Sequence, residues 1–200
     1  MKQLLFTIII LASALIGGAQ VPCWDGTVAE SYANGEGTME NPYQIATPEQ
    51  LALLAEQTNN GTGGNAYYIL TEDICLNGSQ EYHWEPIGNA STPFVGMFDG
   101  QGHTISEMYM IGQTYSGLFG VTMGASIKDV QIEESNVPYG AYLDSYIGLI
   151  VGKALNTNIF NCNSNGIVGD CMDACGGIVG LYSVDAVDET FVVKDCVIVG

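Results

Sequence analysis

Three stretches decide the fold: Ser116-Gly117-Leu118-Phe119-Gly120, Gly148-Leu149-Ile150-Val151-Gly152 and Gly176-Gly177-Ile178-Val179-Gly180. Each is a short β-forming word flanked by glycine, and each is followed by a second word. The second words are Ser126-Ile127-Lys128-Asp129-Val130, Asn158-Ile159-Phe160-Asn161-Cys162 and Val192-Val193-Lys194-Asp195-Cys196. Their offsets are about 32 and 34 residues, inside the 20–50 window of repeat architectures. Met97-Phe98-Asp99-Gly100-Gln101-Gly102-His103-Thr104-Ile105 reads as an earlier, related rung. No such repeat buries its apolar face alone, so the copies must stack. Alternation such as Ile127-Lys128-Asp129-Val130-Gln131-Ile132 turns side chains in and out by turns. The recurrent glycines suit corners that need a positive φ or close backbone approach. The expected fold is mainly β, a β-solenoid (β-helix-like) with an N-terminal capping segment containing one short α-helix. A β-sandwich is the alternative, but it does not require two words to recur in order at this spacing.

Working outward, residues 93–200 form the repeat region and residues 20–92 the capping segment. Thr47, Pro48 and Gln50 are the N-cap, first-turn proline and capping-box partner of a helix near residues 48–59. Leu51, Leu54 and Ala55 fall on one face of it, and Asn59-Asn60-Gly61 ends it. The chain stops inside a strand word at Asp195-Cys196-Val197-Ile198-Val199-Gly200, so the repeats are expected to continue beyond the chain end.

Residues 1–19 read as a secretory signal peptide: Lys2, an apolar run from Leu4 to Ile16, then Gly17-Gly18-Ala19. Cys23 follows Val21-Pro22, which is not the small-residue context of a lipidated cysteine. The expected location is secreted or cell surface, with no transmembrane span after signal removal. Composition narrows the partners. Lys+Arg is 4 against 22 Asp+Glu, for a net charge of -18, which excludes a phosphate-neutralising nucleic-acid face and disfavours anionic lipid.

Gly117-Leu118-Phe119-Gly120 and its later versions resemble the GLUG motif, which repeats in bacterial surface proteins and in non-catalytic parts of IgA-specific metalloproteases. Leu149 and Gly177 depart from a uniform Gly-Leu-x-Gly. Trp24-Asp25-Gly26-Thr27, Asn41-Pro42-Tyr43-Gln44-Ile45, Glu49-Gln50-Leu51-Ala52-Leu53-Leu54-Ala55 and Phe98-Asp99-Gly100-Gln101-Gly102-His103-Thr104-Ile105 resemble the leader segments before such repeats. The resemblance implies extracellular display and an adhesion-like or spacer role, and it assigns no ligand.

Catalytic signatures are sparse. His83 and His103 sit in no metalloprotease motif. Asp170 with Asp173, and Asp185 with Asp188 and Glu189, are carboxylate sets of the type that cleaves glycosidic bonds; solvation of acidic loop tips explains them equally. Calcium suits the same loops, but neither an EF-hand nor an acidic nine-residue repeat is present, so no cofactor is expected. Tyr139, Tyr142 and Tyr146 are the candidate ligand contacts, able to stack on sugar rings, with rung-on-rung packing the competing role. Six cysteines in an exported chain point to disulfides. Cys171 and Cys175 can close a short loop. Cys162 and Cys196 share one repeat position, either as a reduced ladder or as a bond. Cys23 and Cys75 lie in the capping segment.

The expected function is an exported bacterial surface or adhesion-like repeat module, a non-catalytic scaffold for protein or glycan contacts. The alternatives are a targeting or spacer region of a larger secreted protease or glycan-degrading enzyme, and a glycan-active enzyme built on the carboxylates.

Overall fold

The structure, a computed structural model, describes residues 22–111, 113–139, 145–170, 173–184 and 191–199. The expected signal peptide, Tyr142, Cys171, Asp185, Asp188 and Glu189 lie outside the described residues, as do the side chains of Tyr139 and Asp170.

In chain order the elements are β1 (Tyr43–Ile45), α1 (Pro48–Asn59), β2 (Tyr67–Leu70), β3 (Ile74–Cys75), β4 (Met97–Asp99) and β5 (Thr104–Ser106). The first full coil is β6 (Tyr115–Ser116), β7 (Phe119–Met123), β8 (Ser126–Lys128) and β9 (Gln131–Tyr139). The next is β10 (Tyr146–Gly148), β11 (Val151–Leu155), β12 (Asn158–Phe160) and β13 (Asn163–Asp170). The last is β14 (Ala174–Gly176), β15 (Val179–Ser183), β16 (Val193–Lys194) and β17 (Val197–Val199). Corresponding strands of successive coils hydrogen-bond side by side. This gives four sheets: β1-β2-β4-β8-β12-β16, β3-β5-β9-β13-β17, β6-β10-β14 and β7-β11-β15. Every one of these strand pairs is parallel. The chain is therefore a β-solenoid of about 4 turns, not a sandwich.

Register explains why the second words recur. Phe98, Ile127, Ile159 and Val193 stand one above another, continuing from Tyr68. The first members are fully buried, and Val193, with no coil above it among the described residues, is exposed. The fourth letter of each word, Asp129, Asn161 or Asp195, lies in the left-handed region at φ 54°, 47° and 55°. Asp and Asn tolerate that conformation best among non-glycine residues, so this letter turns the corner. Asn161 Nδ2 also donates to Asp129 Oδ1 at 2.6 Å, tying one corner to the next.

The first words need one correction. Ser116 faces Ile147, whereas Phe119 faces Val151. The second copy thus carries one residue more between these points, which places Gly117, not Ser116, beside Gly148. The additional residue, Ile150, is fully buried. The glycines serve close approach rather than positive φ. A Cβ on Gly148 would lie 2.6 Å from the Gly180 nitrogen, and one on Gly152 would lie 2.8 Å from the Ser116 nitrogen. Two adjoining faces pass back to back here, with room for backbone alone.

Stacking also reaches back before residue 93. β2 and β3 already pair with β4 and β5, and Ile87 and Phe94 bridge to Phe119 and Thr122. α1 covers this first coil. Leu51 and Leu54 join the core with Trp24, Trp84 and Phe94. At the far end of the helix, Asn59 bonds to the backbone of Pro86 and Gly88 through its side chain and to Thr92 through its carbonyl. The helix starts as its sequence requires. Thr47 Oγ1 accepts from Gln50 N, and Gln50 Oε1 accepts from Ala46 N, one residue earlier than an ideal capping box.

Candidate functional site

Among the described residues, a cleft of about 450 Å³ lies between the N-terminal arm, α1 and the 62–66 loop. The arm is placed by backbone. Ala33 N donates to Gln44 O at 3.0 Å and Gln44 N to Asn34 O at 2.9 Å. Gly35 and Gly37 turn it at φ 94° and 75°, and a Cβ on either would collide with Pro42 or Tyr43. This brings Tyr32 against Tyr43, stacked at 4.6 Å, and both against Tyr68 at 5.7 and 5.6 Å. The rings continue inward from Tyr68 to Phe94 to Phe119. The cleft wall is therefore the outer end of the aromatic core, and its position is held by packing.

The polar groups of the cleft are fixed as well. Tyr32 Oη donates to Gln57 Oε1 at 2.8 Å, and Gly64 N donates to Tyr68 Oη at 3.2 Å. Burial raises both phenols above the ordinary tyrosine value, Tyr32 the further, so both stay protonated. Asn34, Asn65 and Gln57 add amides, and Glu30 is the single charged residue lining the cleft among those described. Neutral hydrogen-bonding groups beside tyrosine rings match an uncharged polyhydroxyl ligand better than an ion.

The sequence-nominated residues distribute differently. Tyr146 is half-buried in β10 and stacks on Tyr115 at 5.7 Å with 11° between planes. Lys153 Nζ lies 5.8 Å from the centre of the Tyr115 ring. Tyr146 is thus engaged coil on coil, while Tyr139 contributes backbone to β9. Asp173 is exposed, and Asp170 ends β13 with its backbone paired to Tyr139. His103 Nδ1 meets Asp73 Oδ1 at 3.1 Å at the corner between β3 and β5, which is a turn contact between coils.

The described cysteines take two states. Cys23 and Cys75 form a disulfide, Cys175 is disulfide-bonded, and Cys162 and Cys196 are free thiols. Among the described residues, the one group of metal-ligating types within mutual reach is Cys23, Cys75 and Glu107, and its sulfurs are bonded to each other. Tyr32, Tyr43 and Tyr68 went unread in the sequence because they are scattered over 37 positions and share no phrase; the parallel register brings Tyr43 beside Tyr68 and the arm's antiparallel bridge to Gln44 brings Tyr32.

No protein-family model matches the chain, and no solved structure matches it. Among curated proteins, the chain is 33% identical over 175 residues to halomucin of Haloquadratum walsbyi, covering 82% of this chain and 2% of that protein. It is 38% identical over 96 residues to a protein of Evansella cellulosilytica described as a Gly-rich membrane protein, covering 45% of this chain and 10% of that one. The chain therefore spans a small fraction of the relatives it matches. No helix among its described residues is long and apolar enough to cross a membrane.

Proposed function

We propose that the chain is a non-catalytic, extracytoplasmic repeat module of GLUG type, displayed at or released from the cell surface, whose arm cleft contacts neutral glycan. The observation that carries this reading is the tyrosine-walled cleft, lined by neutral amides and hydroxyls with Glu30 as its one charged residue among those described, held against the stacked coils. The likeness to halomucin and to a Gly-rich membrane protein supports a surface or secreted setting. The net charge of -18 speaks against polyanionic ligands, which the protein field repels.

A glycan array with the purified chain tests the contact. Binding to neutral oligosaccharides is expected, with affinity falling ~10-fold, about 1.4 kcal/mol, in Tyr43→Ala, and with Tyr32→Phe weakening it while keeping the fold. No binding to any neutral glycan, or binding unchanged in both variants, would remove the cleft from the account. Protease shaving of intact cells tests the setting: degradation of the chain without lysis is expected, and full protection would contradict surface display.

A further inference from the structure

We propose that Cys162 and Cys196 form a redox-dependent covalent staple that fastens the last coil to the one before it. The two residues occupy the same letter of consecutive second words, directly before the paired residues Asn163 and Val197. Val197 N donates to Cys162 O at 3.1 Å, and Asn161 N to Lys194 O at 3.0 Å, so both flanks are in register. Parallel neighbours lie ~4.8 Å apart, within the ~4.4–6.8 Å that a disulfide spans between Cα atoms. Both thiols point the same way. Cys162 Sγ donates to Phe160 O at 3.2 Å and Cys196 Sγ to Lys194 O at 3.3 Å, equivalent carbonyls two residues back.

The pair is also asymmetric. Cys162 is fully buried and Cys196 half-buried. Interaction with the Cys162 sulfur lowers the Cys196 thiol, while the same neighbour and burial push Cys162 up. Cys196, the more accessible sulfur, is the attacking one and Cys162 the resolving one. The oxidant is a small disulfide or the disulfide of an oxidoreductase. Cys196 thiolate attacks one of its sulfurs and expels a thiolate. Cys162 then attacks Cys196 Sγ, gives up its proton and expels the second thiolate. Two protein thiols become one disulfide, and one oxidant disulfide becomes two thiols.

In the last coil Val193, Val197 and Ile198 are exposed. Lys194, with a side chain 66% exposed, gives a direct assay. In the full chain treated with oxidised glutathione, trypsin cleavage after Lys194 should leave residues 195–200 attached until reductant is added. Peptide mapping should show Cys162 joined to Cys196, and cleavage should slow ~5-fold relative to the reduced chain as local opening is suppressed. Cys162→Ser should release the segment without reductant and accumulate a glutathione adduct on Cys196. The inference is overturned if both sulfurs still alkylate after prolonged oxidation and denaturation, or if Cys196 ends bonded elsewhere. It does not depend on the glycan reading, which these experiments leave untouched.

Discussion

An alanine Cβ at Gly148 would sit 2.6 Å from the Gly180 nitrogen, whereas at Gly102 it would have 3.9 Å to its nearest neighbour but a φ of 80°. The two substitutions separate crowding from backbone strain. Gly148→Ala is expected to cost ~3 kcal/mol or more, the upper end of overpacking, and Gly102→Ala ~1–2 kcal/mol for the left-handed penalty, both read as denaturation midpoints. At the corners, Asn161→Val should cost ~2 kcal/mol, since a β-branched residue resists φ 47°, and Asn161→Gly clearly less. Asp73 supplies a pH test. The Thr104 backbone N–H, then the His103 side chain, hold its carboxyl below the ordinary range. A depressed folded pKa means stability present above the unfolded value of ~3.9 and lost as pH falls through the folded value. Melts from pH 5 to 2 should show the gap between wild type and Asp73→Asn closing at the acid end; a constant gap would contradict the assignment.

At the scale of elements, α1 was legible because capping chemistry is local: Thr47, Pro48 and Gln50 lie within four positions, and Thr47 caps the helix as read while Gln50 reaches Ala46 N. Thr47→Ala should lower stability by ~1 kcal/mol, checked by urea unfolding. The arm was less legible. Its course depends on Cys23–Cys75, separated by 52 residues, and on Trp24 N donating to Cys75 O, which no periodicity announces. Replacing both cysteines by serine should cost ~2–4 kcal/mol, the usual worth of a disulfide closing a long loop, and should loosen the tyrosine-walled cleft beside the arm. The strand words were legible as β, yet their glycines left positive φ and close backbone approach both open. Crowding between faces is a property of the closed coil and leaves no mark in a single word beyond the glycine itself.

For the whole molecule, the repeat revealed the stack because each apolar letter must meet its equivalent in the coil above and below. It could not reveal which tyrosines reach a surface. Tyr146 sits on an equivalent residue, Tyr115, whereas Tyr32 and Tyr43 lie outside any repeat and meet at the arm. Core letters are buried from Ile45 through Ile159, so amide exchange should be slow in β4 and β8. Spin labels give the most direct test of the stacking itself. Gln44, Ile69, Asp99, Lys128, Phe160 and Lys194 stand in one parallel ladder. Nitroxides at Gln44 and Lys194, in a chain with Cys162 and Cys196 changed to serine, should lie five steps of ~4.8 Å apart, about 24 Å, in a narrow distribution. A separation under ~15 Å or over ~35 Å, outside what five parallel steps plus label arms allow, would contradict the stacked coil.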